Sequence, residues 1–256
     1  MVYKTYQRNH VILKGRANAL KTFLTKTYKG MTHKWKNGVS SNSEDALTWS
    51  CFDIIRNLPV KKKVSVLDQM LEDSYQGKCN FSFTKKKYLN RQIEIHIGKE
   101  YTGTSTTEST EVDVSIELPD KLIFFEAKLY SSISLVNKAK GITHDQIARK
   151  MRIGLDVSCV QGKEFYFIFL DVAPETKLVQ RKSKKDALSL TKNGFYDKWK
   201  SAWWFNYYKH GRNHSLKPLK ESLDGIPLKM AIKDIANNMG WLTWSDLYKD
   251  ILRGVI

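Results

Sequence analysis

Glu111-Val112-Asp113-Val114-Ser115-Ile116-Glu117-Leu118, then Pro119-Asp120, then Lys121-Leu122-Ile123-Phe124-Phe125-Glu126-Ala127-Lys128-Leu129, is the stretch that decides the fold. Both arms are rich in Val, Ile and Phe, the residues that suit a pleated, half-covered surface. Pro-Asp between them suits a tight turn. A symmetric turn sets Leu118 against Lys121 or Glu117 against Leu122, and either closure places Asp113 opposite Glu126 and Glu111 opposite Lys128. A three-residue loop or a bulge would instead move Glu126 to the other face. In the symmetric register the opposed Cβ atoms stand roughly 5 Å apart, where two like charges destabilise a sheet unless something positive sits between them. The apolar runs Val112-Val114-Ile116 and Ile123-Phe124-Phe125 point to a covered sheet, and a buried carboxylate needs a partner. A metal ion would supply that charge. Carboxylate oxygens suit a hard cation such as Mg2+, with Mn2+ as a substitute, better than a metal that favours soft ligands.

Asp113, a gap of a dozen residues and then Glu126-x-Lys128 resembles the PD-(D/E)xK nuclease superfamily, the restriction-endonuclease-like fold, although the leading Pro is absent. The core of that family runs helix, three strands, helix, strand. The same order is expected here at 44–56, 91–98, the 111–129 hairpin, 143–157 and 164–172, so the resemblance covers residues 40–175. It implies that Asp113 and Glu126 hold the metal with the carbonyl of Ala127, and that Lys128 orients or deprotonates the attacking water. Many members add an acid on the first core helix and a glutamine after the ExK strand, which Glu44 and Gln146 match. The implied reaction is hydrolysis of a phosphodiester, with a cation charging the water and neutralising the transition state.

Simpler readings stand beside these. Glu44 could complete a capping box with Ser41, and Gln146 could do so with Thr143. Lys128 could be a cross-strand partner of Glu111. Arg149, three residues after Gln146 on the same helical side, either meets a phosphate or stays solvated. His96, with Glu94 on the polar side of the first strand, reads as a surface histidine.

The chain has 256 residues, 41% of them hydrophobic, enough for one good core or a core and an appendage. Its formal net charge is +17, and a polyanion, above all nucleic acid, accounts most simply for tolerating that self-repulsion. Cys51, Cys79 and Cys159 are odd in number and far apart, which argues for reduced thiols and against a disulfide framework or a zinc knuckle. There is no apolar leader and no run of membrane-spanning length, so a cytoplasmic protein is expected, without membrane or organic cofactor.

Residues 1–43 contain no Asp or Glu and form a basic arm whose Lys34 and Lys36 are expected to meet phosphate. Within it the pattern predicts a helix over 16–28 and a loop over 30–43. Lys61-Lys62-Lys63 precedes a helix predicted over 65–74, and 102–110 reads as a polar loop close to the substrate. The core is assigned to 44–175. Residues 176–256 form a basic, aromatic-rich helical extension packed on it, in which Arg181, Lys182, Lys184 and Lys185 are candidate phosphate contacts. Most of its rings, at helical spacing, are expected to pack against the sheet. Its last part predicts two amphipathic helices, 227–238 and 244–252, separated by Gly240.

The expectation is therefore an α/β protein with a mixed sheet flanked by helices, acting as a Mg2+-dependent endonuclease on DNA. A homodimer is the assembly to expect of it, since cutting both strands of a duplex generally takes two active sites. The alternatives are a catalytically inactive nucleic-acid-binding or structural protein of the same fold, and an RNA-processing protein.

Overall fold

The computed structural model describes residues 12–27, 33–38, 43–86, 88, 92–129, 131, 133–136, 143–172, 204–211 and 215–256. Its centre is a sheet of five strands in the order β1 (Glu94–Thr102), β2 (Ser109–Glu117), β3 (Lys121–Ala127), β4 (Glu164–Asp171), β5 (Met239–Thr243). The first three are antiparallel neighbours, while β3–β4 and β4–β5 pair in parallel, so the sheet is mixed.

Alternation along the central strands sorts two cores. Ile123 and Phe125 of β3 and Tyr166, Ile168 and Leu170 of β4 face one side, covered by α3 (Glu44–Asn57), α4 (Val60–Tyr75) and α9 (Trp244–Val255). Leu122 and Phe124 of β3 and Phe165, Phe167 and Phe169 of β4 face the other side, against Ile147 and Met151 of α6 (Gln146–Gln161). Every residue of β3 is buried, as expected of a strand covered on both faces. Each Phe or Ile so buried contributes about 1.5–3 kcal/mol of transfer free energy.

Shorter helices complete the shell: α1 (Ala17–Thr25), α2 (His33–Gly38), α5 (Phe83–Lys86), α7 (Lys217–Ser222) and α8 (Ile232–Asn237). Leu20 and Leu24 of α1 pack with Ala46 and Trp49 of α3, and Arg16 makes a two-nitrogen grip on buried Asp53, at 2.9 and 2.7 Å. The described part of the basic arm is thus docked on the core.

Several expectations are corrected here. The 30–43 stretch contains α2, so it is not simply a loop. The helix expected from 65 begins at Val60, and Lys61-Lys62-Lys63 forms its first turn. The C-terminal part is not wholly helical: Met239-Gly240-Trp241-Leu242-Thr243 is the edge strand β5, and Gly240 is inside it. A Cβ at Gly240 would come within 2.8 Å of Tyr75 Cζ, so glycine here lets the Tyr75 ring lie against the strand, with its hydroxyl donating to Asn238 O at 3.0 Å. Packing of the C-terminal rings agrees with expectation where it is described: Phe205 is fully buried and stacks on Phe167 and Phe169. The three cysteines are free. Among the described residues no helix is long and apolar enough to cross a membrane.

Candidate functional site

The β2–β3 register is the symmetric one. Glu117 faces Leu122 and Val114 faces Phe125, and Leu118 N–H donates to Lys121 O at 2.9 Å across Pro119-Asp120. One further step sets Asp113 opposite Glu126, and Ala127 N–H donates to Asp113 Oδ2 at 2.8 Å. The two acids therefore belong to one site.

Two lysine side chains meet these acids. Lys150, fully buried on α6, donates to Glu126 Oε2 and lies 3.3 Å from Asp113 Oδ1. Lys128 takes the other oxygen of Glu126, Oε1, at 2.6 Å, and lies 3.3 Å from Glu44 Oε1. Two ammonium groups thus bracket a carboxylate that has no exposure to water. The reading of Lys128 as the partner of Glu111 does not hold: its charge goes to Glu126 and Glu44, and Glu111 receives the ammonium of Lys34.

Glu44 opens α3, but not through a capping box with Ser41; the cap is Ser43, whose hydroxyl accepts from Ala46 N–H. The Glu44 carboxylate is left to accept from Leu129 N–H and the Ser131 hydroxyl, both at 2.7 Å. It pins the chain that leaves β3 to the positive end of a helix. Lys128 is clamped by its backbone as well: its N–H donates to Leu170 O at 2.7 Å, and the Trp244 indole N–H donates to its carbonyl at 3.0 Å. Trp244, the first residue of the C-terminal helix, thus helps to fix the end of β3 at this site.

The charges split the acidic pair. Burial pushes Asp113 upward, but Lys150, Lys128 and the Ala127 N–H outweigh it and hold the carboxyl below its ordinary value. For Glu126 burial and the neighbouring Asp113 prevail over both lysines, so its carboxyl is raised. Two close carboxylates behave in this way when only one can ionise easily. Burial lowers both ammonium groups, and the surrounding carboxylates more than reverse that.

A pocket with about 230 Å³ of empty space, part of it open to solvent, lies beside Asp113 and is lined by Phe23, Lys34, Glu44, Asp45, Thr48, Gly98 and Asp113. Gly98 has φ +64° where the ladder passes from Ile97 to Lys99, and a Cβ there would lie 2.8 Å from the Phe23 ring and 3.2 Å from Lys34 Nζ. Glycine lets α1 and α2 approach the strand. Lys34 is consequently buried, 2% exposed, over the Phe23 ring and between Glu111 and Asp45. That corrects its assignment as a surface phosphate contact. Burial, aided by Asp113, Glu44 and Glu111, raises Asp45 to about 6 against the pull of Lys34. Asp171, 1% exposed at the end of β4, is pushed to about 7 by burial, and its Oδ2 has no hydrogen-bond partner among the described residues.

The remaining candidates have contacts of their own. Gln146 is not in a capping box with Thr143; Asp145 caps α6, accepting from Ile147 and Ala148 N–H. The Gln146 amide instead accepts from Ser134 N–H at 3.1 Å. Arg149 is half-buried on the same helix. The 102–110 loop is anchored rather than free, because Asp156 of α6 accepts from Ser105 N–H and from the Thr104 and Ser105 hydroxyls. His96 lies 3.3 Å from Glu94 and 3.6 Å from Glu117, three potential ligand atoms within 4.8 Å of one another. This group is four residues along β2 from Asp113, roughly 13 Å at strand rise. Lys36 lies in α2 with its side chain outside the described residues, and Arg181, Lys182, Lys184 and Lys185 are outside them altogether.

Lys150, Asp45 and Asp171 are site residues that the sequence reading does not find. For Lys150 a signal exists: it follows Gln146 by one helical turn and is flanked by the apolar stripe of Ile147 and Met151, a poor place for a solvated lysine. No protein-family model matches the chain, and neither does any curated protein or solved structure.

Proposed function

We propose that the chain is a Mg2+-dependent endonuclease that hydrolyses phosphodiester bonds in DNA, on a restriction-endonuclease-like core. The observation that carries this reading is the convergence of Asp113, Glu126, Lys128 and Glu44 from two adjacent strands and a helix start, with Asp113 and Glu44 lining one pocket. The order helix α3, strands β1 to β3, helix α6, strand β4, with α4 and α5 inserted between α3 and β1, supports that core. The donor set fits a hard cation: Asp113 Oδ1 and Glu126 Oε2 are turned toward one shared centre, and with the Ala127 carbonyl they offer only oxygens. When bound, a divalent ion supplies a more acidic water and charge neutralisation at the phosphate.

The chain's own groups do the rest. Asp113 and Glu126 hold the cation. Lys128, anchored through its backbone by Leu170 and Trp244 and steered by Glu44, orients the attacking water and offsets negative charge on the phosphate. Asp45, with a carboxyl at about 6, is placed to exchange a proton at the pocket near neutral pH. The net charge of +17 supplies attraction for the polyanion.

A second reading, a nucleic-acid-binding protein of the same fold without cleavage activity, is favoured by one observation: the Lys150 ammonium by itself supplies a counter-charge to both Asp113 and Glu126. The two are separated by incubating plasmid, duplex, junction, single-stranded DNA and structured RNA with the protein, with and without Mg2+, beside Lys128→Ala and Glu126→Ala. The nuclease reading expects Mg2+-dependent cutting of DNA that both variants lose. Cutting unchanged in both variants, or binding without cutting, would overturn it; cutting confined to RNA would move the substrate class.

A further inference from the structure

Lys150 holds the two oxygens a cation would need. Asp113 Oδ2 is occupied by the Ala127 N–H and Glu126 Oε1 faces Lys128. That leaves Asp113 Oδ1 and Glu126 Oε2 as the pair turned toward a shared centre, and the Lys150 ammonium contacts both. Lys150 and Glu126 are wholly buried, so solvent does little to screen whatever charge sits there. A divalent ion and an ammonium held against the same two oxygens would repel strongly, and only one can occupy the centre at a time.

From this juxtaposition we propose that Lys150 is a built-in placeholder for the metal: in the ion-free chain it keeps the opposed acids apart from one another's charge, and a divalent ion binds only by displacing it. The inference rests on the metal-dependent reading of the site and adds its regulation. Lysine is suited to the task. Its charge sits at the end of four methylenes, so it can swing away while α6 keeps its place against the sheet, whereas a backbone or arginine fork would hold a fixed geometry. The arrangement keeps a buried acidic pair folded without metal and sets a threshold of ion concentration for loading.

The test is Mn2+ binding to the full chain, followed by calorimetry and by electron paramagnetic resonance of free Mn2+, for wild type, Lys150→Met, Lys150→Arg and Glu126→Gln. Removing the competing charge is expected to tighten Mn2+ binding in Lys150→Met by about tenfold or more, whereas Lys150→Arg binds no better than wild type and Glu126→Gln loses the site. Thermal unfolding supplies a second readout: Lys150→Met unfolds at lower temperature than wild type in EDTA and is raised more than wild type by Mn2+. Equal or weaker Mn2+ binding in Lys150→Met than in wild type overturns the placeholder alone. So does a Lys150→Met chain that stays unfolded in saturating Mn2+, because an ion then cannot take the place of the ammonium. Absence of Mn2+ binding in every protein overturns the metal-dependent reading and this inference with it. Mn2+ binding that follows the expected order in a protein that cuts no nucleic acid overturns the nuclease reading and leaves the placeholder standing.

Discussion

Replacing Lys128 by Met removes one ammonium from the buried cluster while keeping most of its volume, and the cost can be worked from two distances. Lys128 Nζ lies 2.6 Å from Glu126 Oε1 and 3.3 Å from Glu44 Oε1. At an effective dielectric of ~20, those separations correspond to about 6 and about 5 kcal/mol of Coulomb attraction. Against them stands the several kcal/mol spent in taking the ammonium out of water, which Met does not incur. The expected net loss is about 3–5 kcal/mol, the range found when one member of a buried pair is removed. For a chain of this size each kcal/mol lowers the unfolding midpoint by about 2–4 °C, so the drop should be about 6–20 °C. Urea unfolding followed by tryptophan fluorescence, with calorimetry beside it, measures both quantities. Made in a Glu126→Gln background, the same substitution has less charge to abandon, and its cost should shrink by at least about 1 kcal/mol. A loss below about 1 kcal/mol in the wild-type background, or equal losses in the two backgrounds, would refute the account of Lys128 as a neutraliser of Glu126.

Two further outcomes test the fold away from the site. Asp250 of α9 is fully buried, its oxygens lack hydrogen-bond partners among the described residues, and burial, with Asp73 beside it, raises its carboxyl from 3.8 to about 7 despite Lys249 and Arg253. Because the folded value is the higher one, the stability tied to this group is complete below pH 3.8 and is lost as pH rises to about 7. Asp250→Asn should therefore match wild type near pH 4 and exceed it at pH 8 by up to about 4 kcal/mol, a difference that urea unfolding at the two pH values would read; parallel behaviour at both would sink the idea. Gly154 of α6 lies so close to Phe165 that a Cβ there would overlap the ring, so Gly154→Ala should cost about 1–3 kcal/mol even though alanine favours the helix. A thermal midpoint equal to or above that of wild type would show that the helix and strand can move apart freely.

Much of the sheet is legible because it is written in local alternation. The Pro119-Asp120 turn, the register that opposes Asp113 and Glu126, and the order of α3, β1 to β3, α6 and β4 all follow from patterns a few residues long. The edge strand is not legible: Met239 to Thr243 is short, contains a glycine, and becomes a strand because β4 offers it an unpaired edge and Tyr75 needs the space over Gly240. Lys34 misleads for a related reason. A lysine in an acid-free arm reads as solvated, and only the docking of α1 and α2 against Gly98 turns it into a buried counter-charge.

Within the site, local alternation and the Pro119-Asp120 turn predict that two acids face each other if the turn is symmetric, and the Leu118–Lys121 closure seen in the fold selects that register over a looped or bulged one. That Lys150 also answers them, and that Glu44 and Trp244 hold Lys128 in place, follows only from the packing. Lys150 comes from 24 residues beyond Glu126, Glu44 from 84 before Lys128, and Trp244 from 116 after it. Charge neutralisation in a buried site depends on what packing brings within a few ångströms, and spacing along the chain carries no measure of that distance.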